Sequence, residues 1–483
     1  MIGKLPRATL FSVGERLVAF VLQFGATVII ARLLSPAEVG VFSLAASLVA
    51  IGHVFRQFGV GDFLVQERAL DRDLLRAAYG MTLAVSWAIA ALLLLAAAPL
   101  AALYREPAVA QVLQVMALSF LLMPIGSICS TMLVRELSFG RLAAVQTAST
   151  AVAAATSVAL AWAGWSSLSL AWGAVAGNAV TLVLFALLRP AEFFMWPRLG
   201  ELRRILRFGT PMTGSYLSEQ LAARVPDLLM PRSLGFEALG LFSRGQSLAL
   251  TAHDVLVTGF VRVARPVFAA GEREPAALRD TYLAFLTRLA APPLAAFLFM
   301  AIFAEPLVRV LFGATWLPSA PVLAVTAVSL ALAVPWYLAP GLLIGTGRAG
   351  PMLRVALVRL VAASLAVAVG VQIGLLATAL LLALASLLHL AAYQHALRAA
   401  TGIGLGDLGR ACSPSLRVIG PALAAAALAR LMPADTAWQA LLSLGAGLGL
   451  LAGVSIALAV LTRHPLAMAL GRLGGLRQPA ESR

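Results

Sequence analysis

Three stretches of this 483-residue chain carry charge where the surrounding residues are almost wholly apolar. Near 209 to 230 stand Tyr216, Glu219, Gln220, Arg224 and Asp227, near 236 to 257 stand Arg244, Ser247, Thr251 and Asp254, and close to the N-terminus stand Glu15, Arg16 and Gln23. At 100° per residue, Tyr216, Gln220, Arg224 and Asp227 share an arc of about 80°, with Glu219 about 60° beyond Tyr216. Arg244, Ser247, Thr251 and Asp254 likewise form one stripe, with His253 pointing away. A charge inside an apolar span costs about 2.5 to 3.5 kcal/mol on insertion scales, so it faces a protein interior or water. Two chemistries fit. Arg224 can pair with Asp227 at i,i+3 and Arg244 with an acid of the 209 to 230 helix, fixing helix packing. The polar walls can instead line a cavity, with Glu219, Asp227 and Asp254 as its charge or coupling groups. Glu15 and Arg16 lie within a turn of the membrane interface, where snorkelling serves as well as a cavity role.

Other chemistry is poorly supported. The five histidines form no ligand motif, and Cys129, mid-span, and Cys412, in an expected cytoplasmic loop, have no paired spacing for a metal or disulfide framework. No loop exceeds roughly 25 residues, well short of a domain, and the external ones hold no His/Asp/Glu constellation. The expectation is therefore no catalytic residue, no metal, no cofactor and no enzyme. His53 and His253 read as helix-packing residues, and Trp162, Trp165, Trp196 and Trp438 as interfacial anchors. Pro226, Pro231, Pro335 and Pro340 break or kink helices in a way that gating could use.

The elements that must position these charges follow from composition. The chain is 61% hydrophobic and 12% charged, with a mean hydropathy of +0.93, whereas soluble domains are about 45 to 50% apolar and 25% charged. Such a balance excludes a secreted enzyme, a nucleic-acid-binding module and a disordered chain. The net charge of +15 is scattered between apolar runs and not gathered in a patch, so it orients a membrane protein and does not bind nucleic acid.

Fourteen apolar runs fall near 12 to 31, 39 to 58, 79 to 103, 111 to 133, 142 to 163, 168 to 188, 209 to 230, 236 to 257, 282 to 304, 319 to 345, 351 to 371, 375 to 397, 416 to 432 and 437 to 461. Each has the length of a membrane-crossing helix. The first follows Lys4 and Arg7 like a signal peptide, but Glu15 and Arg16 interrupt it and no A-x-A site follows, so it reads as retained. With a cytoplasmic N-terminus, cytoplasmic segments hold 27 of the 36 basic residues and external loops five, Arg32, Arg105, Arg232, Arg309 and Arg430. That alternation puts both termini in the cytoplasm. The segments 199 to 208 and 269 to 280 read as short interfacial helices.

The chain also repeats itself. Laying residue n on n+200 brings 31 to 48 onto 231 to 248 with seven of eighteen positions identical, Arg32/Arg232, Leu34/Leu234, Gly40/Gly240, Phe42/Phe242, Ser43/Ser243, Ser47/Ser247 and Leu48/Leu248. The same offset pairs Gly14 with Gly214, Leu17 with Leu217, His53 with His253 and Gly59 with Gly259. A repeat of six spans, an even number, keeps both copies in one orientation and implies a pseudo-twofold axis along the membrane normal. The expected fold is an all-α polytopic membrane protein of 14 transmembrane helices. Its expected parts are an N-terminal lobe, 1–190, a cytoplasmic linker, 191–208, a second six-helix lobe, 209–400, and two C-terminal helices with a tail, 401–483.

The stretches 31 to 45, 58 to 79 and 207 to 250 resemble the Wzx-type lipopolysaccharide and exopolysaccharide transporters of the multidrug/oligosaccharidyl-lipid/polysaccharide flippase superfamily, a resemblance covering most of residues 1 to 360. It implies two six-helix lobes around a central cavity, alternating access, a bacterial inner membrane and an undecaprenyl-diphosphate-linked glycan as cargo. It also suggests a polysaccharide polymerase and chain-length machinery as partners beside the membrane lipids. Arginine suits a diphosphate because its planar fork gives two charge-assisted hydrogen bonds. On this implication Arg224, Arg244, Arg16 and Glu15 meet the cargo with Gln220 and Tyr216, while Ser218 and Gln246 are further partners for sugar. Rival readings are a peptidoglycan-precursor flippase, a cation-coupled drug antiporter of the same superfamily and a membrane glycan ligase or polymerase. The last would need a substantial external loop.

Overall fold

The computed structural model describes residues 21–57, 64, 71–198, 202–270, 275–346 and 349–461. Every regular element in them is helical. The first helices are α1 (Val21–Leu33), α2 (Pro36–Gln57), α3 (Arg72–Tyr104), α4 (Pro107–Leu122), α5 (Ser127–Arg135), α6 (Phe139–Trp162), α7 (Leu168–Leu188) and the single turn α8 (Pro190–Phe193). There follow α9 (Leu202–Ala270), α10 (Pro275–Leu289), α11 (Ala291–Ile302), α12 (Ala304–Leu311), α13 (Ala320–Ala333), α14 (Ala339–Gly345), α15 (Ala349–Gly370), α16 (Leu375–Thr401), α17 (Leu405–Leu428) and α18 (Ala437–Leu461). Ten helical stretches among the described residues are long and apolar enough to cross a membrane, eleven when α10 and α11, bent by 47° at their junction, are counted as one.

Local chemistry sets the ends. At α2 the Glu38 carboxylate accepts from the Ser35 backbone N–H at 2.7 Å and from its hydroxyl at 2.9 Å, a reciprocal cap with the Ser35 oxygen facing the Glu38 N–H. Between α3 and α4 the chain reverses in two residues. Arg105 takes the left-handed conformation (φ 56°), Glu106 accepts from the Ala108 N–H, and Pro107 opens α4 where its missing N–H costs nothing. Gly173 and Gly177 bring α7 so close to α6 that a side chain at either would meet Ser157, Ala153 or Ser149. The Ser149 hydroxyl donates to the Gly177 carbonyl at 2.8 Å across that seam.

The helices divide into two compact units, Met1–Gly240 and Leu241–Arg483. Leu44, Leu113 and Phe120 are fully buried in the first, and Phe268, Tyr282, Phe297 and Phe303 in the second. The Tyr282 hydroxyl is satisfied there by the Pro335 carbonyl at 2.7 Å.

Three local expectations need revision. The external loop expected over 231 to 235 shrinks to a single residue: α9 is two helices that meet at Gly235, whose φ of 86° and ψ of 171° suit a residue without a Cβ. The segment at 202–208 belongs to α9 and is no separate interfacial helix. Of the segment at 269–280, residues 271–274 lie outside the described set, and α10 begins at Pro275. Cys412 lies buried within α17 and not in a loop. That helix starts at Leu405 because Asp407 accepts from the Gly404 N–H at 3.0 Å and is held by Arg279 and Arg410. The four tryptophans read as anchors are all exposed, Trp162 most of all.

Candidate functional site

Asp227 is the buried acid of the first unit, 8% exposed in a helix otherwise lined by Val225, Ala222 and Met230. It sits between Pro226 and Pro231, whose ring nitrogens carry no hydrogen, so the carbonyls of Ala222 and Asp227 lack their i→i−4 partners. A buried carboxylate must be paired and hydrogen-bonded. Two residues do this. The Ser47 hydroxyl of α2 donates to Asp227 Oδ2, and Arg224 Nη1 lies 3.5 Å from the same oxygen, one helical turn back.

Arg224 reaches from this buried acid to an open side. Its side chain is 38% exposed while its Nε is buried and has no hydrogen-bond partner. A guanidinium held at one edge by a carboxylate, with its remaining N–H groups directed elsewhere, can still offer hydrogen bonds to an anion. Gln220 and Glu219, one turn further back, are half-buried on the same helix. Tyr216 lies on α9, with its side chain outside the described residues, and Glu15 and Arg16 are also outside them.

The second unit holds Arg244 and Asp254. Among the described residues Arg244 meets no acid: its guanidinium carbon lies 5.5 Å from the centre of the Phe312 ring and 5.3 Å from that of Trp316, a cation–π arrangement in which Trp316 is almost fully buried. Gly245 beside it lets α9 approach the Ser319 carbonyl. Ser247 and Thr251 donate to carbonyls of their own helix, Arg244 and Ser247. His253, expected to point away from Asp254, has its Nδ1 3.4 Å from Asp254 Oδ1; Asp254 is exposed, and the His253 ring lies 4.8 Å from that of Tyr337 and 6.4 Å from that of Phe297.

The structure thus brings together Arg224 and Asp227 at the i,i+3 spacing and adds Ser47, a residue sequence reading left out. Its repeat mate Ser247 lies on a polar stripe, which is the one signal that pointed to it. The aromatic partners of Arg244 lie in a stretch between spans and had no such signal. No group of three or more His, Cys, Asp or Glu among the described residues is placed to hold a metal ion.

A model of the family described as polysaccharide biosynthesis protein matches residues 29–321. The chain is 28% identical over 382 residues to the succinoglycan biosynthesis transport protein ExoT of Rhizobium meliloti (strain 1021), covering 77% of this chain and 75% of that one. It is 20% identical over 300 residues to the lipopolysaccharide biosynthesis protein WzxC of Escherichia coli (strain K12), covering 61% of this chain and 60% of that one. Among solved structures the fold is similar to the lipid II flippase MurJ in an inward closed conformation, with a TM-score of 0.75 over 94% of this chain and 99% of that one at 11% identity. The match over more than half its length makes the chain a member of the polysaccharide biosynthesis protein family, the Wzx-type transporters that its motifs resemble.

Proposed function

We propose that this protein moves undecaprenyl-diphosphate-linked oligosaccharide units, of the O-antigen, exopolysaccharide or capsule type, from the cytoplasmic to the periplasmic leaflet of a bacterial inner membrane. The reading is carried by the family match over residues 29–321, and the likeness to a succinoglycan transport protein supports it. Alternating access by two six-helix lobes, 1–190 and 209–400, with a linker at 191–208, two further C-terminal helices in 401–483 and both termini cytoplasmic, completes the proposal. A polysaccharide polymerase and its chain-length machinery are the proposed partners.

In this mechanism Arg224 holds the diphosphate while the lipid tail stays in the bilayer. Its half-open position suits that role, and Asp227 with Ser47 fixes the guanidinium so that little freedom is lost on binding. Gln220, Tyr216 and Glu219 line the approach. Arg244 is proposed as a second contact for the head group, with Phe312 and Trp316 restricting its motion. Asp254 and Glu219 contribute cavity charge, with Glu15 and Arg16 proposed to add to it.

Complementation of a strain lacking its own polysaccharide flippase tests the reading. Arg224→Lys keeps the charge and loses the planar fork; it is expected to insert and accumulate normally and to lose most export. Full export by Arg224→Ala and Arg244→Ala at normal protein levels would remove both arginines from the head-group site.

A further inference from the structure

The first unit contains a second polar site. A cavity of about 400 Å³ lies among α2 to α7, and none of its described lining residues belongs to the part of α9 that carries Arg224 and Asp227. Its wall includes a break in the fourth span. Pro124 ends α4, the backbone tightens into a 3₁₀ turn over Met123–Gly126, and α5 resumes at Ser127. Within a membrane such a break is tolerated where it is buried in protein or lines a polar cavity.

The polar groups around this cavity are unusual in kind. Arg56 is the only charged residue among the described residues that line it; its Nε is buried with no hydrogen-bond partner, and none of those described lining residues is a carboxylate. A largely buried guanidinium without a counter-charge is costly, and an anion in the cavity would offset that cost. The hydroxyls of Ser127, Thr131 and Thr181 already donate to the carbonyls of Pro124 at 2.7 Å, Ser127 at 3.0 Å and Gly177 at 3.1 Å. What they turn to the cavity is lone pairs. The side-chain amides of Gln146 and Asn178, which offer both donors and acceptors, have no partner among the described residues. Inorganic phosphate carries only one or two P–OH donors near neutral pH and cannot satisfy all three of those hydroxyls at once. The complement of this lining is one negative group for Arg56 beside several hydroxyl donors, and the volume sits at the low end of the roughly 300 to 1,000 Å³ of small-molecule sites.

We propose that this cavity binds a small hydroxyl-rich phosphate: the glycerol phosphate head group of an anionic phospholipid, or a single soluble sugar phosphate. Arg56 takes the phosphate, Ser127, Thr131 and Thr181 accept from the ligand's hydroxyls, and Gln146 and Asn178 close the ring of contacts. The site does not depend on which cargo the protein moves.

The test uses the purified full chain in phosphatidylcholine nanodiscs, with phosphatidylglycerol, glycerol 1-phosphate, glucose 1-phosphate and inorganic phosphate as probes and the unfolding temperature as the readout. Phosphatidylglycerol or one of the two soluble organic phosphates is expected to raise it. A response to phosphatidylglycerol alone assigns the site to a lipid, and a response to a soluble ester assigns it to a solute. Asn178→Asp and Gln146→Glu keep side-chain size and set a carboxylate toward the phosphate, so each is expected to weaken the response at least about tenfold. Arg56→Gln should do the same, and the two isosteric variants keep the test valid if it fails to fold. No response in the wild type, an unchanged response in both isosteric variants, or inorganic phosphate acting as well as the organic esters would overturn the proposal.

Discussion

Gly40 and Gly240 each lie against the helix entry that precedes the other. A side chain on Gly40 would run into the carbonyl of Phe236, and one on Gly240 into the carbonyl of Pro36. Under the 200-residue offset Gly40 maps to Gly240 and Pro36 to Phe236, so the two contacts exchange with one another. Reciprocity of this kind is what a twofold relation between two copies of a motif produces. It gives a packing reason for glycine at both positions of the repeat.

Alanine at either glycine is the direct test. In an open helix Gly→Ala gains about 1 kcal/mol, whereas overpacking against fixed backbone costs about 1 to 3 kcal/mol. Gly40→Ala and Gly240→Ala should therefore lower the melting temperature and the yield of monodisperse protein. Gly25→Ala on α1, where nothing lies within 4 Å, should not. Equal behaviour of all three would contradict the close approach.

The Ser47 to Asp227 hydrogen bond makes a second prediction. Ser47→Ala removes a donor from a buried carboxylate and should cost about 1 to 3 kcal/mol. In an Asp227→Asn background the same substitution should cost much less, because the charge that demanded the donor is gone. A double-mutant cycle on unfolding measures the difference, and additivity within about 0.5 kcal/mol would show that the two residues act independently.

What the sequence made legible differs between the two sites. Long apolar runs marked the membrane-length helices found among the described residues, because length and hydropathy are local properties. Arg224 and Asp227 share a turn, so their pairing was visible in the spacing. Ser47 meets Asp227 across 180 residues and Arg244 meets Phe312 and Trp316 across about 70, separations at which no periodicity operates. Nothing in the sequence singled out Arg56; its cavity depends on α2 to α7 closing around it. The helix start at Leu405 rests on the local bond from the Gly404 N–H to Asp407, and Arg279 of α10, a tertiary contact, holds that carboxylate. Gly235 turns the chain at one residue, where the gap between the apolar runs 209 to 230 and 236 to 257 suggested a loop.

Topology gives a third prediction. Reporter fusions after residues 75, 200, 275 and 410 should read as cytoplasmic, and fusions near 35, 105, 165 and 434 as periplasmic, on the strength of the basic-residue asymmetry. Two or more reversed reporters would overturn the fourteen-span proposal.

The last prediction concerns pH. Glu305 on α12 accepts from Arg309 Nη2 at 3.1 Å and from Arg430 Nη2 at 3.2 Å, while Arg309 also donates to the Asp435 carbonyl at 2.9 Å. These bonds tie α12 to the segment between α17 and α18. The hydrogen bond from Arg309 is the largest influence holding the Glu305 carboxyl below the usual carboxylate range; partial burial opposes it, and Arg430 adds to the lowering. A carboxyl whose folded value is depressed binds fewer protons folded than unfolded, so its contribution is complete above the unfolded value and is lost as pH falls through the folded one. Because Glu305 is 45% exposed, each pair is worth only about 0.2 to 1 kcal/mol. Wild type should melt slightly above Glu305→Gln at about pH 6, with the gap closing on acidification toward about pH 3 and shrinking in high salt. A gap that stays constant across that range would mean that Glu305 acts through shape and not through its charge.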